Sequence, residues 1–221
     1  MIWIVTSPQR VPEETKYLNE LAAAGPVTLL LRKPGWPLQE YAGLLDGLQD
    51  HSKVMITAYP ELLERYPVKG FHMSEGMRGT MSGLMREDVL KLFSLASLAP
   101  SEACSSDWRY DAPVACLPTR YHHLLLSTSV HTPESPGTAW QYLLLGPVFD
   151  SISKQGYSGK GHLFTTIPPN CIAIGGINAS NIARARAMGF HGAALLGAIW
   201  QNPATAVKNY QLIQSLWDHS L

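Results

Sequence analysis

Hydrophobic positions in this chain fall into short runs separated by mixed segments. Eight runs read as strands: IWIVT (2–6), VTLLL (27–31), KVMIT (53–57), KGFHM (69–73), HLLLST (123–128), YLLLG (142–146), CIAIG (171–175) and GAALL (192–196). Each is mostly apolar rather than alternating. That is the pattern of parallel strands whose two faces are both covered. The intervening segments carry helical spacing. Residues 12–24 place Tyr17, Leu18 and Leu21 on one face, and residues 37–48 do the same with Leu38, Tyr41, Leu44, Leu45 and Leu48. Further helices are predicted over 178–188 and 204–217. Pro12 and Pro37 suit the first turn of a helix, where a missing N–H costs nothing.

Eight such units in 221 residues predict a single (β/α)8 barrel domain over 1–221. A doubly wound sheet is the alternative, since alternation alone does not prove closure. The connection over 74–122 is irregular, with one helix near 80–97 and then a stretch rich in Pro, Ser and Asp.

Composition adds exclusions. Hydrophobic residues make up 46% of the chain, enough for one sizeable core, and 17 basic residues balance 17 acidic ones. No basic excess points to nucleic acid. Cys104, Cys116 and Cys171 are far apart and form no C-x-x-C pair, so neither a disulfide framework nor a zinc site is expected, and a reducing cytoplasm fits. MIWIVTSPQR lacks a basic n-region and reads as a strand. No apolar run approaches the roughly 20 residues that span a bilayer.

A barrel places its chemistry at the carboxyl ends of the strands. Those ends carry Thr6, Arg32 with Lys33, Thr57, His72 with Glu75, Ser129 with His131, Ser151 with Ser153 and Lys154, Gly175 with Gly176, and Gly197. Any strand must end in a polar turn, so each residue alone says little. The set gathers Arg, Lys and two His on one rim. In IAIGGINASNI, two glycines follow a buried strand and allow backbone N–H groups close to an anion, with a helix start behind them. Gly197 opens the next unit. Close helix–strand packing would explain the same glycines. The loop in GPVFDSISKQGYSGKG is rich in glycine, hydroxyl and lysine, as a loop that closes over an anion would be.

LLLRKPG, STSVHT, LLLGPVFDSISKQG and IAIGGINASNIARARAMGFHGAALLGAIW together resemble the thiamine-phosphate synthase/thiazole tautomerase (TenI-like) superfamily of (β/α)8 barrels. The resemblance implies a thiazole phosphate as the small-molecule partner and a role in thiamine biosynthesis or salvage. A synthase of that kind would show an Arg and a Lys after the second strand, an Asn-Asp pair after the third and an Asp after the fourth, the acids holding magnesium on a pyrophosphate. Here Arg32 matches. The Lys position is taken by Pro34 beside Lys33, Thr57–Ala58 replace the acid pair, and Glu75 is the nearest acid to the last position.

STSVHT resembles the tautomerase stretch with a catalytic histidine, which falls on His131, and KQGYSGKG resembles that branch's lysine and glycine loop. The resemblance therefore favours proton transfer by His131, with Arg32, Lys33, Ser129, Ser151, Ser153, Lys154, Gly175, Gly176 and Gly197 binding substrate and phosphate, and His72 and Glu75 as further candidates. It implies no metal and no cofactor; Mg2+ belongs to the synthase alternative. A ligand-binding paralogue without turnover is the alternative of another class. No nucleic-acid or membrane partner is expected, the location expected is cytoplasmic, and a homodimer is left open.

Overall fold

The computed structural model describes residues 1–77, 123–133, 140–151 and 158–219. Eight parallel strands close a barrel in chain order: β1 (Ile2–Val5), β2 (Val27–Leu31), β3 (Val54–Ile56), β4 (Gly70–Met73), β5 (Leu125–Val130), β6 (Tyr142–Leu145), β7 (Cys171–Ile174) and β8 (Gly192–Leu195). Closure is direct: Ile2 pairs with Val27 of β2 on one side and with Ala193 of β8 on the other. The doubly wound alternative is thereby excluded. All eight predicted strands are present, most shorter by a residue or two at their ends, with β5 starting and ending two residues later.

The described helices are α1 (Glu14–Ala23), α2 (Leu38–Asp46), α3 (Ile182–Ala187), α4 (Gly197–Trp200) and α5 (Ala206–His219). Their starts differ from the sequence reading for local reasons. Glu13 lies in the left-handed region (φ 56°), so α1 begins after it rather than at Pro12. Pro37 is extended and caps α2 from outside. Asn178 and Asn181 use their side chains on nearby backbone: Asn181 Oδ1 accepts from Asn178 N–H at 2.9 Å and Asn178 Oδ1 from Ser180 N–H at 2.8 Å. Such bonds compete with a helix and delay α3 to Ile182. The helix predicted near 80–97 and the stretch 98–121 lie outside the described residues.

The lack of alternation in the strands has its explanation in two cores. Ile2, Ile4, Leu29, Leu31, Val54 and Ile56 point outward and pack under the helices, while Trp3, Val5, Leu30, Met55, Leu144, Ile172 and Ala194 fill the barrel. Full burial of a side chain of this size contributes about 1.5–3 kcal/mol. Trp3 sits at the amino end of the interior, its ring edge-on to Tyr142 with centroids 5.5 Å apart. At the other end, Trp200 of α4 donates its indole N–H to Val5 O at 2.7 Å and ties the last unit to the first strand. No helix among the described residues is long and apolar enough to cross a membrane.

Candidate functional site

A cleft of about 650 Å³ opens at the carboxyl ends of the strands. Its polar lining comes from Arg32, Thr57, His72, Glu75, Ser129 and His131, with Leu144 and Ile174 beneath and Gly175 at one side. Six strands therefore line the cleft and five of them deliver candidate residues to it, as barrel geometry requires.

His131 follows β5 and is half exposed. Its Nδ1 lies 2.7 Å from Gly146 O, and its Nε2 lies 3.1 Å from Glu75 Oε2. A carbonyl accepts only, so Nδ1 carries a proton and donates it to Gly146. The ring is thus held in one orientation at the mouth, with Nε2 as the nitrogen that gains or gives a proton.

His72 is different. It is 4% exposed, between β3 and β5, with Nδ1 2.9 Å from Ser127 Oγ and Nε2 3.1 Å from Ser129 Oγ. Burial, aided by the positive charge of Arg32, pushes its pKa from 6.5 down to about 4. The unfolded chain takes up a proton as pH falls through 6.5, whereas the folded one resists until about 4. Stability should therefore fall with pH across that window, by a total of about 3 kcal/mol for a displacement of this size. Denaturant unfolding at pH 7 and pH 4.5 tests this: His72→Gln, which cannot titrate, should lose less stability between the two. Equal losses would refute the assignment of a neutral buried ring.

Arg32 and Lys33, adjacent in the chain and both bordering the cleft, send their charged ends in different directions. Arg32 is exposed at the cleft. The Lys33 amine is buried beside α1, 2.5 Å from Glu14 Oε2 and 2.7 Å from Ser7 O, and 4.6 Å from the centre of the Trp36 ring. Lys33 borders the cleft as well, but its amine is engaged in the ion pair with Glu14 on the helix side. Desolvation pushes the Lys33 amine below and the Glu14 carboxyl above their usual ranges.

The glycines divide as well. Gly175 (φ 98°) lines the cleft, whereas Gly176 (φ 67°) lies against the backbone beyond β6, where a Cβ would come within 2.1 Å of Asp150 O. Gly176 therefore permits close packing, and it lines a separate hollow of about 420 Å³ with Asn178, Asn181 and Arg184. Gly197 opens α4 at the end of β8 and is not among the residues lining the cleft. Ser151 is half-buried beyond β6, and Ser153 and Lys154 lie outside the described residues.

Two elements of the site escaped the sequence reading. Ser127 was taken only as part of a strand, although its two-residue spacing from Ser129 puts both on one face. The pairing of Glu14 with Lys33 joins residues 19 apart and leaves no local signal.

The cleft's described lining does not fit a magnesium site. Magnesium needs oxygen ligands, commonly one or two carboxylates with waters. Ala58 offers none, the Thr57 hydroxyl donates to Leu31 O, and Glu75, the one carboxylate among the described lining residues, faces His131.

Fold and cleft together define a small parallel (β/α)8 barrel with a polar, histidine-bearing mouth. Among solved structures it is similar to thiamine phosphate pyrophosphorylase from Bacteroides thetaiotaomicron, with a TM-score of 0.64, 21% identity, and 98% of this chain and 97% of that one covered. Thiamine phosphate pyrophosphorylase from Pyrococcus furiosus gives a TM-score of 0.59 at 15% identity over 100% and 96% of the two chains. The 3-hexulose-6-phosphate synthase from Salmonella typhimurium gives 0.58 at 9% identity over 100% and 99%. No family model and no curated protein sequence matches the chain. These likenesses establish the fold, a (β/α)8 barrel that this chain shares with those proteins.

Proposed function

We propose that this chain is an enzyme of thiamine biosynthesis or salvage that moves a proton on a phosphorylated thiazole, as a thiazole tautomerase does. One observation carries the reading: a half-exposed histidine, His131, is oriented at the cleft mouth by Gly146 O, with its Nε2 beside Glu75. Histidine's unperturbed range lets it accept and return a proton near neutral pH. The substrate would lose a proton from carbon to His131 Nε2 and regain one at a second position, so no net oxidation or group transfer occurs. Arg32, exposed at the cleft, supports an anionic substrate.

A synthase reading is favoured by the names of two structural neighbours, which are pyrophosphorylases. The lining at Thr57, Ala58 and Glu75 speaks against it. Purified protein should turn over a thiazole carboxylate phosphate with no added metal. It should form little thiamine phosphate from a pyrimidine pyrophosphate and thiazole phosphate. Robust synthase activity abolished by a chelator would overturn the tautomerase reading.

A further inference from the structure

Among the described residues the barrel interior is apolar except at Thr28, whose hydroxyl accepts from the Lys69 amine at the amino end, and along β4 and β5. Where the other strands place Trp3, Leu30, Met55, Leu144 or Ile172, these two place His72, Ser127 and Ser129. His72 pairs with Ser127 across the strands, and the imidazole stands between the two hydroxyls. Ser127 is fully buried, whereas Ser129 lines the cleft.

Counting buried donors settles the tautomer of the ring. With a pKa of about 4, His72 is neutral at pH 7 and carries one ring proton. On Nδ1, that proton would be given to Ser127 Oγ. The hydroxyl proton of Ser127 would then be buried with no acceptor among the described residues, where His72 is the partner of Ser127 Oγ. On Nε2, the arrangement closes: Ser127 O–H donates to Nδ1, and Nε2–H donates to Ser129 Oγ. A stranded buried donor is the costlier fault, so the second arrangement is selected. The oxygen of Ser129 is then already accepting, and its own proton is left for the cleft.

We propose that Ser127 and His72 act as positioning residues that turn the Ser129 hydroxyl proton toward the cleft, so that this wall, which Arg32 also lines, favours an anionic oxygen of the ligand, carboxylate or phosphate. The proposal deepens the reading of an anionic substrate and rests on it only for the identity of that substrate.

Two measurements test it on the intact protein. Nitrogen NMR of 15N-histidine-labelled protein at pH 7 should show His72 protonated on Nε2 alone; an Nδ1–H tautomer or a cationic ring would overturn the proposal. Titration with inorganic phosphate should give an affinity about 10-fold weaker in Ser129→Ala, the scale of a hydrogen bond to a charged group, and within about 3-fold of the parent in Ser129→Thr, which keeps the hydroxyl. Equal affinities in the parent and Ser129→Ala would place the anion elsewhere and sink the idea. Neither readout uses turnover. A protein inactive as a tautomerase leaves both intact, whereas their failure in an active enzyme removes this proposal alone.

Discussion

Turnover of a thiazole carboxylate phosphate by His131→Ala is expected to fall about 10²–10⁴-fold, the usual contribution of a positioned general acid–base group. Affinity should change little. Arg32 follows a different strand, Ser129 sits on β5 with its oxygen against His72 rather than His131, and among the described residues no hydrogen bond of the barrel core passes through the imidazole. Folding should be unaffected for the same reason, since the ring is half exposed and its partners are a carbonyl at the rim and a partly exposed carboxylate. His131→Asn should fare no better than alanine: it can still donate to Gly146 O but cannot carry a proton. Single-turnover kinetics with saturating substrate would separate the chemical step from binding. A variant that keeps nearly the parent rate would remove His131 from the chemistry. A parent protein that binds thiazole phosphate but is silent in both assays would be the binding paralogue instead.

Lys33→Met should cost about 3–5 kcal/mol of stability, the range seen when one member of a buried ion pair is removed. The amine is fully inaccessible and the Glu14 side chain nearly so, at 0% and 5% exposed. Methionine fills much of the lysine stem's space but leaves a carboxylate without its counter-charge, and strands Ser7 O and Gln9 O, which the amine also serves. Combining it with Glu14→Gln removes the orphaned charge. The double variant should therefore recover a large part of the loss, and the cycle should show strong coupling, within the 0.5–3 kcal/mol found for residues in contact. Urea unfolding of the four proteins measures it. Simple additivity would show that the pair does not act as a unit. A second consequence reaches function: the same amine packs on Trp36 and steadies the loop after β2, so the weakened loop should raise KM through Arg32 more than it lowers kcat.

The periodicity of the chain determined by itself the eight strands, the helices α1, α2, α3 and α5 to within a few residues, and a parallel α/β fold; α4 was not among the helices it predicted. These follow from covalent neighbours: a strand buried on both faces must be apolar at every position, and that is visible within five residues. Arg32, His72, Glu75, Ser129, His131 and Gly175 were legible as rim residues too, because residues directly after such runs can only lie at a strand's carboxyl end. Closure through the pairing of β1 with β8 was decided by tertiary structure, as it joins residues at opposite ends of the chain.

So was the fate of neighbours such as Arg32 and Lys33. Side chains alternate along a strand, so one continues the inward row of Leu30 and the other the outward row of Leu31. Only the placement of α1 put Glu14 within reach of the outward one. The same holds for the histidines. Both follow from a sequence that puts His near a strand end, but whether the ring is buried and neutral, as His72 is, or half exposed and held by a carbonyl, as His131 is, depends on Ser127, Ser129, Gly146 and Glu75. Those partners come from other turns of the barrel, and burial and hydrogen bonding, not residue type, set what an imidazole can do.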